Sequence, residues 1–362
     1  MLSSISNSEP FFPARRGWWK GLLAFLISFA LIAGAGEWVS RQLSFEHAWH
    51  GEQVQVPPGG ILTETDSDQF PIYDTLYYGL GDAIDNAKKA DVLLLGNSRV
   101  LSGFREKAVQ EASARSGLKF FNLCYPANDG MVMAYQTILK HDLHPKIVII
   151  NETNFFNWGI SPFGKDTTSL GAWRAWVRVW EDRISWTVRA QLHRFLPRFG
   201  WGKTYRVQPP FQYQSVEDGC LCLDNQLSNQ KTYTVNDPKL SEDPTAEEIA
   251  AAKMFRDEMA KRGTAVVLTD IPFDREPFLR DNENKSSFGA LMKLPENSQP
   301  FQRADKLAKL LGVPLIAPAV VGLRTTDGSH LDEASGDKFA QAFFQDFLKL
   351  SRVKALAVQE KK

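Results

Sequence analysis

Val92-Leu93-Leu94-Leu95-Gly96-Asn97-Ser98-Arg99 runs from four apolar residues straight into a glycine, an asparagine and a serine. An apolar run this short, closed by a turn signal, fits a strand buried on both faces better than a helix. The pattern repeats outward from it. Residues 105–116 have helical spacing, 119–123 read as a short strand, 130–143 as a helix and 147–150 as a third buried strand. Further on, Thr245-Ala246-Glu247-Glu248 is a capping-box signal opening a helix to Arg262, and Gly263 ends it. A strand over 265–269, a helix over 298–311, a strand over 313–316 and a last helix over 334–350 complete the series. Strands alternating with helices predict an α/β fold: a three-layer sandwich with a mainly parallel sheet covered on both faces.

The 362 residues carry 42 Lys+Arg against 42 Asp+Glu, so the chain has no net charge. That balance argues against nucleic acid as a partner, since phosphate contacts need a basic surface. There is no Gly-x-Gly-x-x-Gly or P-loop signature, and no cofactor is expected. Gly21 to Gly36 is free of charge, with Arg15, Arg16 and Lys20 before it and Trp18, Trp19 and Trp38 at its flanks. Basic residues stay on the cytoplasmic side and Trp favours the headgroup zone. The expectation is a cytoplasmic N-terminus over 1–20 and a single-pass transmembrane helix over 21–39, with the rest outside the cytoplasm. The uncharged run falls short of the ~20 residues usually needed to span, and the Trp residues extend it. A cleaved leader also fits, with Ala33-Gly34-Ala35 as a small-residue cleavage site. The Trp flanks suit a retained helix.

Pro57, Pro58, Gly59 and Gly60 lead us to expect an irregular stem over 40–84, before an α/β domain over 85–352 and a frayed tail over 353–362. Residues 156–242 break the strand–helix rhythm and read as an insertion or cap. Within it Trp173, Trp176 and Trp180 share one helical face, with Arg174, Arg178 and Arg183 on the neighbouring faces. Trp173 and Trp176 are candidate substrate-binding residues for sugar stacking; docking at a membrane surface and packing on the sheet are the other readings. Cys124, Cys220 and Cys222 are too few for a disulfide framework. One bridge from Cys124 to the pair and small buried thiols both fit. The pairs His47/His50 and His141/His144 supply two ligands each, which makes no closed metal site; they read as surface histidines, and no metal is expected.

The chemistry gathers where strands end. In open parallel sheets, sites collect at the carboxyl ends of strands. Ser98 follows the first strand, and Asp327-Gly328-Ser329-His330 lies on the loop entering the last helix. A serine hydroxyl attacks poorly unless a base takes its proton, and the base works best when a carboxylate holds its ring. Ser98 alone could equally be a helix N-cap. A serine, an aspartate and a histidine in this order have the parts for acyl transfer.

These blocks resemble those of the SGNH (GDSL-like) hydrolase superfamily. Gly96-Asn97-Ser98-Arg99 looks like its first block, with Asn97 where an Asp is usual, and Asp327-Gly328-Ser329-His330-Leu331 looks like its last. The resemblance implies Ser98 as nucleophile, His330 as base then acid, and Asp327 as the group that orients the ring. It also implies an oxyanion donor from the Asn154 side chain and another from a main-chain N–H of the second block, where Ala127 stands in the usual glycine place with Gly130 three residues on. A membrane anchor ahead of such a domain is similar to the proteins that accompany membrane-bound O-acyltransferases. The implied function is serine-dependent O-acyl transfer, acetyl foremost, or ester hydrolysis on a cell-surface polysaccharide. The implied setting is the outer side of the cytoplasmic membrane, with such an acyltransferase as a possible partner. The other reading is a catalytically inactive binding or scaffold subunit of an envelope polysaccharide complex.

Overall fold

Val92 to Leu95 become an interior strand of a five-stranded parallel sheet in the computed structural model. The structure describes residues 20, 22–28, 45–49, 52–56, 61–64, 70–125, 129–153, 155–181, 211–214, 217–224, 233–234, 243–273, 300–325, 329–350 and 353. The chain forms two units, Met1–Pro58 and Gly59–Lys362. In the first, residues 22–28 are helical, with Leu23, Phe25, Leu26 and Ile27 exposed. Strands β1 (Phe45–Trp49) and β2 (Glu52–Val56) pair there as an antiparallel hairpin. Among the described residues no helix is long and apolar enough to cross a membrane. Residues 29–39 of the expected span, with Ala33-Gly34-Ala35, lie outside the described residues, as do residues 1–19 and nearly all of the tail.

The sheet of the second unit runs in the order β11 (Leu315–Ile316), β10 (Ala265–Thr269), β6 (Ile147–Asn151), β4 (Val92–Gly96), β5 (Phe120–Cys124). Every residue of β4, β5 and β6 is buried. Side chains alternate between the faces. Leu93, Leu95, Phe121, Leu123, Val148 and Ile150 pack in one layer with helices α1 (Phe70–Tyr78), α2 (Ala83–Lys88), α5 (Gly130–Lys140), α7 (Ala246–Lys261) and α8 (Pro300–Leu311). Val92, Leu94, Phe120, Ile147 and Ile149 pack on the other side with α3 (Ser98–Gly103), α4 (Glu106–Ser116) and α9 (Glu333–Phe347). The expected layered α/β architecture is therefore present. Along the sheet the strands read second, first, third, fourth, fifth in chain order, so the connections diverge between β4 and β6. At such a switch point, the carboxyl ends of the two strands are where open α/β sheets place their sites.

Local signals explain the individual elements. Glu248 N donates to Thr245 Oγ1 (3.2 Å) and Thr245 N donates to Glu248 Oε2 (2.8 Å), so the capping box opens α7 as its sequence predicts. Phe339, Phe343, Phe344 and Phe347 of α9 crowd around Phe104 and Phe120, with Phe104 and Phe343 centroids 4.9 Å apart. Helix α5 stops at Lys140 rather than at 143, because Leu143 N turns back to Ile138 O (3.0 Å).

The compact unit that holds the sheet begins at Gly59, and within the stretch 40–84 the described residues include regular strands and helices. After β3 (Ile61–Glu64), helix α1 inserts Ile72, Tyr73 and Leu76 into the core. The Pro57–Gly60 turn signals mark the boundary between units, and helical spacing resumes behind them. Residues 156–242, read as an insertion or cap, are fastened to the α/β unit at the residues that are described. Helix α6 (Pro162–Leu170) and helical residues 172–181 fasten to α1: Arg178 Nε and Nη2 donate to the buried Asp74 at 2.6 and 2.7 Å, and Thr167 Oγ1 donates to Asp74 Oδ1 at 2.9 Å. Strand β7 (Phe211–Gln214) pairs with β3 and with β8 (Leu221–Asp224), and β9 (Tyr233–Thr234) pairs with β12 (Arg324–Thr325). Asn122 N on the outer edge of β5 donates to Asp218 O (2.6 Å). A buried strand edge needs such a partner. Cys124 and Cys220 are buried free thiols, and burial pushes the Cys124 thiol up; the side chain of Cys222 lies outside the described residues.

Helix α9 meets α3 so closely that a Cβ at Gly336 would lie 2.2 Å from Ser102 O. Gly336→Ala is therefore expected to destabilise the chain by roughly 1–3 kcal/mol, the usual cost of overpacking. Urea unfolding of both proteins measures it, and an unchanged midpoint would show that the two helices part freely.

Candidate active site

Strand β4 ends on a residue that cannot carry a side chain: a Cβ at Gly96 would lie 2.4 Å from Val100 Cγ2 and 3.2 Å from Asn151 Cβ. Asn97 then caps α3. Its Oδ1 accepts from Arg99 N (3.1 Å), and its Nδ2 reaches toward Thr153 O (3.5 Å). The cap is thus Asn97 and not Ser98, which is the first helical residue. Ser98 Oγ lies 2.7 Å from His330 Nε2, across 232 positions of sequence. With the ring neutral and its proton on Nδ1, the serine hydroxyl donates to Nε2. Both residues are half-buried.

His330 is held from behind. Leu331 is fully buried and bridges to Thr325. Asp332 N donates to Arg324 O (2.9 Å), Arg324 N donates to Ser335 Oγ (2.7 Å), and Asp332 Oδ1 caps α9 by accepting from Ser335 N (2.8 Å). On the other side, Arg99 Nε donates to Ser329 Oγ at 3.0 Å.

The structure brings Ser98 and His330 into contact. Asp327, Asn154 and Ala127 lie outside the described residues. Gly130 is buried as the first residue of α5, and Met131 N donates to Phe155 O (3.1 Å), which ties the second block to the residue after Asn154. The fully buried Asp129 anchors the same loop by accepting from Tyr73 Oη (2.6 Å) and from Ser161 N and Oγ. Trp173 and Trp176 meet each other, with ring centroids 5.1 Å apart and planes at 18°. Ala175 and Val179 are the buried positions of this helix, Trp173 is 66% exposed, and Trp176 is half-buried between Trp173 and Trp180. His141 Nε2 lies 2.9 Å from Tyr77 O, half-buried rather than on the surface, and desolvation lowers its pKa; His144 pairs with exposed Asp142. The side chains of His47 and His50 lie outside the described residues. Among the described residues no three His, Cys, Asp or Glu side chains gather to hold a metal ion.

A buried polar layer beneath the pair escaped the sequence reading. Thr153 Oγ1 donates to Asp270 Oδ1 (2.9 Å), Ile271 N donates to Asn151 Oδ1 (3.0 Å), and Arg303 joins Glu152 (2.8 Å) to Glu248. Burial pushes the Glu152 carboxyl up to about 7, opposed by the Arg303 cation and reinforced by the Asp270 charge. Burial likewise pushes Asp270 up to about 6, opposed by the Thr153 hydroxyl and the charges of Arg99 and Arg303. The available signal was polar residues at the close of each apolar run, Asn151-Glu152-Thr153 after Ile150 and Asp270 after β10.

A scan against protein-family models, a search of curated proteins and a search of solved structures each return no match for this chain.

Glu152 ionises near 4.5 when unfolded and near 7 when folded. Across that window the folded chain binds more protons than the unfolded one, so stability falls as pH rises from 4.5 to 7. Glu152→Gln carries no such loss. Wild type and variant should unfold alike near pH ~4 and diverge by about 3 kcal/mol in favour of the variant above pH ~7. Urea unfolding across that range measures it, and a difference independent of pH would contradict the assignment.

Proposed function

We propose that this chain is an SGNH-type acyl-transfer enzyme that adds an acyl group, acetyl foremost, to a cell-envelope polysaccharide or removes one by hydrolysis. The reading rests on one observation: Ser98 Oγ lies 2.7 Å from His330 Nε2 at the carboxyl end of β4, beside the switch point of the sheet. Such a contact is what activates a serine.

In the proposed reaction His330 Nε2 takes the Ser98 proton as Oγ attacks the acyl carbonyl. Asp327 steadies the imidazolium. The oxyanion takes donors from the Ser98 N–H, the Asn154 amide and an N–H of the Ala127–Gly130 segment; losing one such donor costs about 3 kcal/mol of barrier, a hundredfold or more in rate. His330 returns the proton to the leaving oxygen. A sugar hydroxyl, or water in the hydrolytic case, then attacks the acyl-serine by the reverse path. The exposed Trp173, stacked on the half-buried Trp176, offers a flat apolar face to a sugar ring. The charge-free run from Gly21, with its basic and Trp flanks, supports a single-pass anchor over 21–39 and a reaction outside the cytoplasmic membrane. A membrane-bound O-acyltransferase is the partner that would pass acyl groups to Ser98.

A fluorophosphonate probe on the full chain in detergent tests the reading. Wild type should be labelled at Ser98, Ser98→Ala should not react, and His330→Gln should react at least about a hundredfold more slowly. Equal labelling of Ser98→Ala, or none of wild type, would remove the enzyme and leave a binding module. Mass analysis of envelope glycan from cells lacking the protein then separates the two directions: fewer O-acyl groups mean transfer, more mean hydrolysis.

A further inference from the structure

We propose that Arg99 is a positioning residue: by donating from Nε to Ser329 Oγ it holds the 329–330 segment so that His330 Nε2 stays on Ser98 Oγ. The inference rests on the reading of Ser98 as the nucleophile. Two consecutive residues of α3 meet two consecutive residues of the loop before α9 in antiparallel sense, 98 with 330 at 2.7 Å and 99 with 329 at 3.0 Å. They are two rungs of one ladder, and only the first can take part in chemistry. The second is the more buried. Arg99 and Ser329 are 4% and 6% exposed, so water does not compete for their hydrogen bond.

A guanidinium is buried at such a place only when its charge is answered. Asp270, at the end of β10, supplies the answering charge; its carboxyl feels both Arg99 and Arg303. The Arg99 carbon Cζ lies 3.6 Å above the Phe273 ring, and its main-chain N–H is fixed by Asn97 Oδ1. With the plane of the fork set by the ring, Nε–H points sideways to Ser329. A lysine in this place would keep the charge and lose that direction. Arg99 therefore links three strand-end segments at once: its own turn after β4, the segment after β10, and the loop that carries His330.

The test measures fluorophosphonate labelling rate and unfolding midpoint side by side in the full chain. Arg99→Lys keeps a cation near Asp270, and Ser329→Ala removes the hydroxyl that accepts from Arg99 Nε. Each should slow Ser98 labelling by about tenfold or more, since small misplacement of a base is costly, while the unfolding midpoint holds. Ser329→Thr, which keeps a hydroxyl, should recover most of the rate. The double variant Arg99→Lys/Ser329→Ala should be no slower than the slower single, because both remove one contact. Wild-type rates in both singles would overturn the proposal alone, as would a loss that tracks the midpoint or a Ser329→Thr no faster than Ser329→Ala. A wild type that does not label at Ser98 would overturn this proposal and the acyl-transfer reading together.

Discussion

Val92, Leu93, Leu94 and Leu95 have no exposed surface at all, and the second unit is organised around keeping them dry. Each fully buried aliphatic side chain stabilises by about 2 kcal/mol. A central strand with apolar residues on both faces needs a helical layer on each, and parallel neighbours need crossover helices to reach them. Both demands are met by the same helices. The chain leaves β4 for β5 on one side and later reaches β6 on the other, so the two crossovers separate above the carboxyl end of β4. The layers are mostly apolar, and the polar groups of the site gather at the strand ends. Ser98 stands where it does because the apolar run stops at Gly96 and the backbone has to turn there.

What gathers is a linked set of groups. Asn97 leans toward Thr153, Thr153 binds Asp270, the Asp270 charge faces Arg99, and Arg99 binds Ser329 beside His330. A second branch runs from Glu152 through Arg303 to Glu248 at the start of α7. Burial works against every charge in this layer, as the raised carboxyls of Glu152 and Asp270 record. Their partners offset part of that cost and in doing so lock the exits of β4, β6 and β10 to one another. The Ser98–His330 contact rides on this lattice.

The strands were the most legible part of the sequence because their cause is local. An uninterrupted run such as 147–150 or 265–269 states its own burial, and the Thr245 capping box states its helix start. Helix α1 was hidden by company: Pro57–Gly60 broke the pattern just ahead of it, and only tertiary packing reveals that Ile72, Tyr73 and Leu76 face the core. The contact of Ser98 with His330 could be anticipated because serine and imidazole have complementary chemistry. Arg99 and Arg178 could not. An arginine in a polar stretch reads as solvated, and nothing nearby in sequence announces that Asp74 or Ser329 waits for it, 104 and 230 positions away. Long-range ion pairs leave no periodic trace.

The asparagine at 97 follows from the same layer. Its side chain must do two opposite things: accept from Arg99 N on one atom and present a donor toward Thr153 O on the other. An amide has both ends. A carboxylate would cap α3 equally well and would then turn an acceptor oxygen against a carbonyl oxygen. It would also add a third acid to a region that already holds Glu152 and Asp270 at elevated pKa. Each further negative charge there would push those carboxyls higher and offer Arg99 a second counter-ion. The neutral residue keeps the charge count of the layer fixed, and with it the geometry that sets Ser98 against the ring.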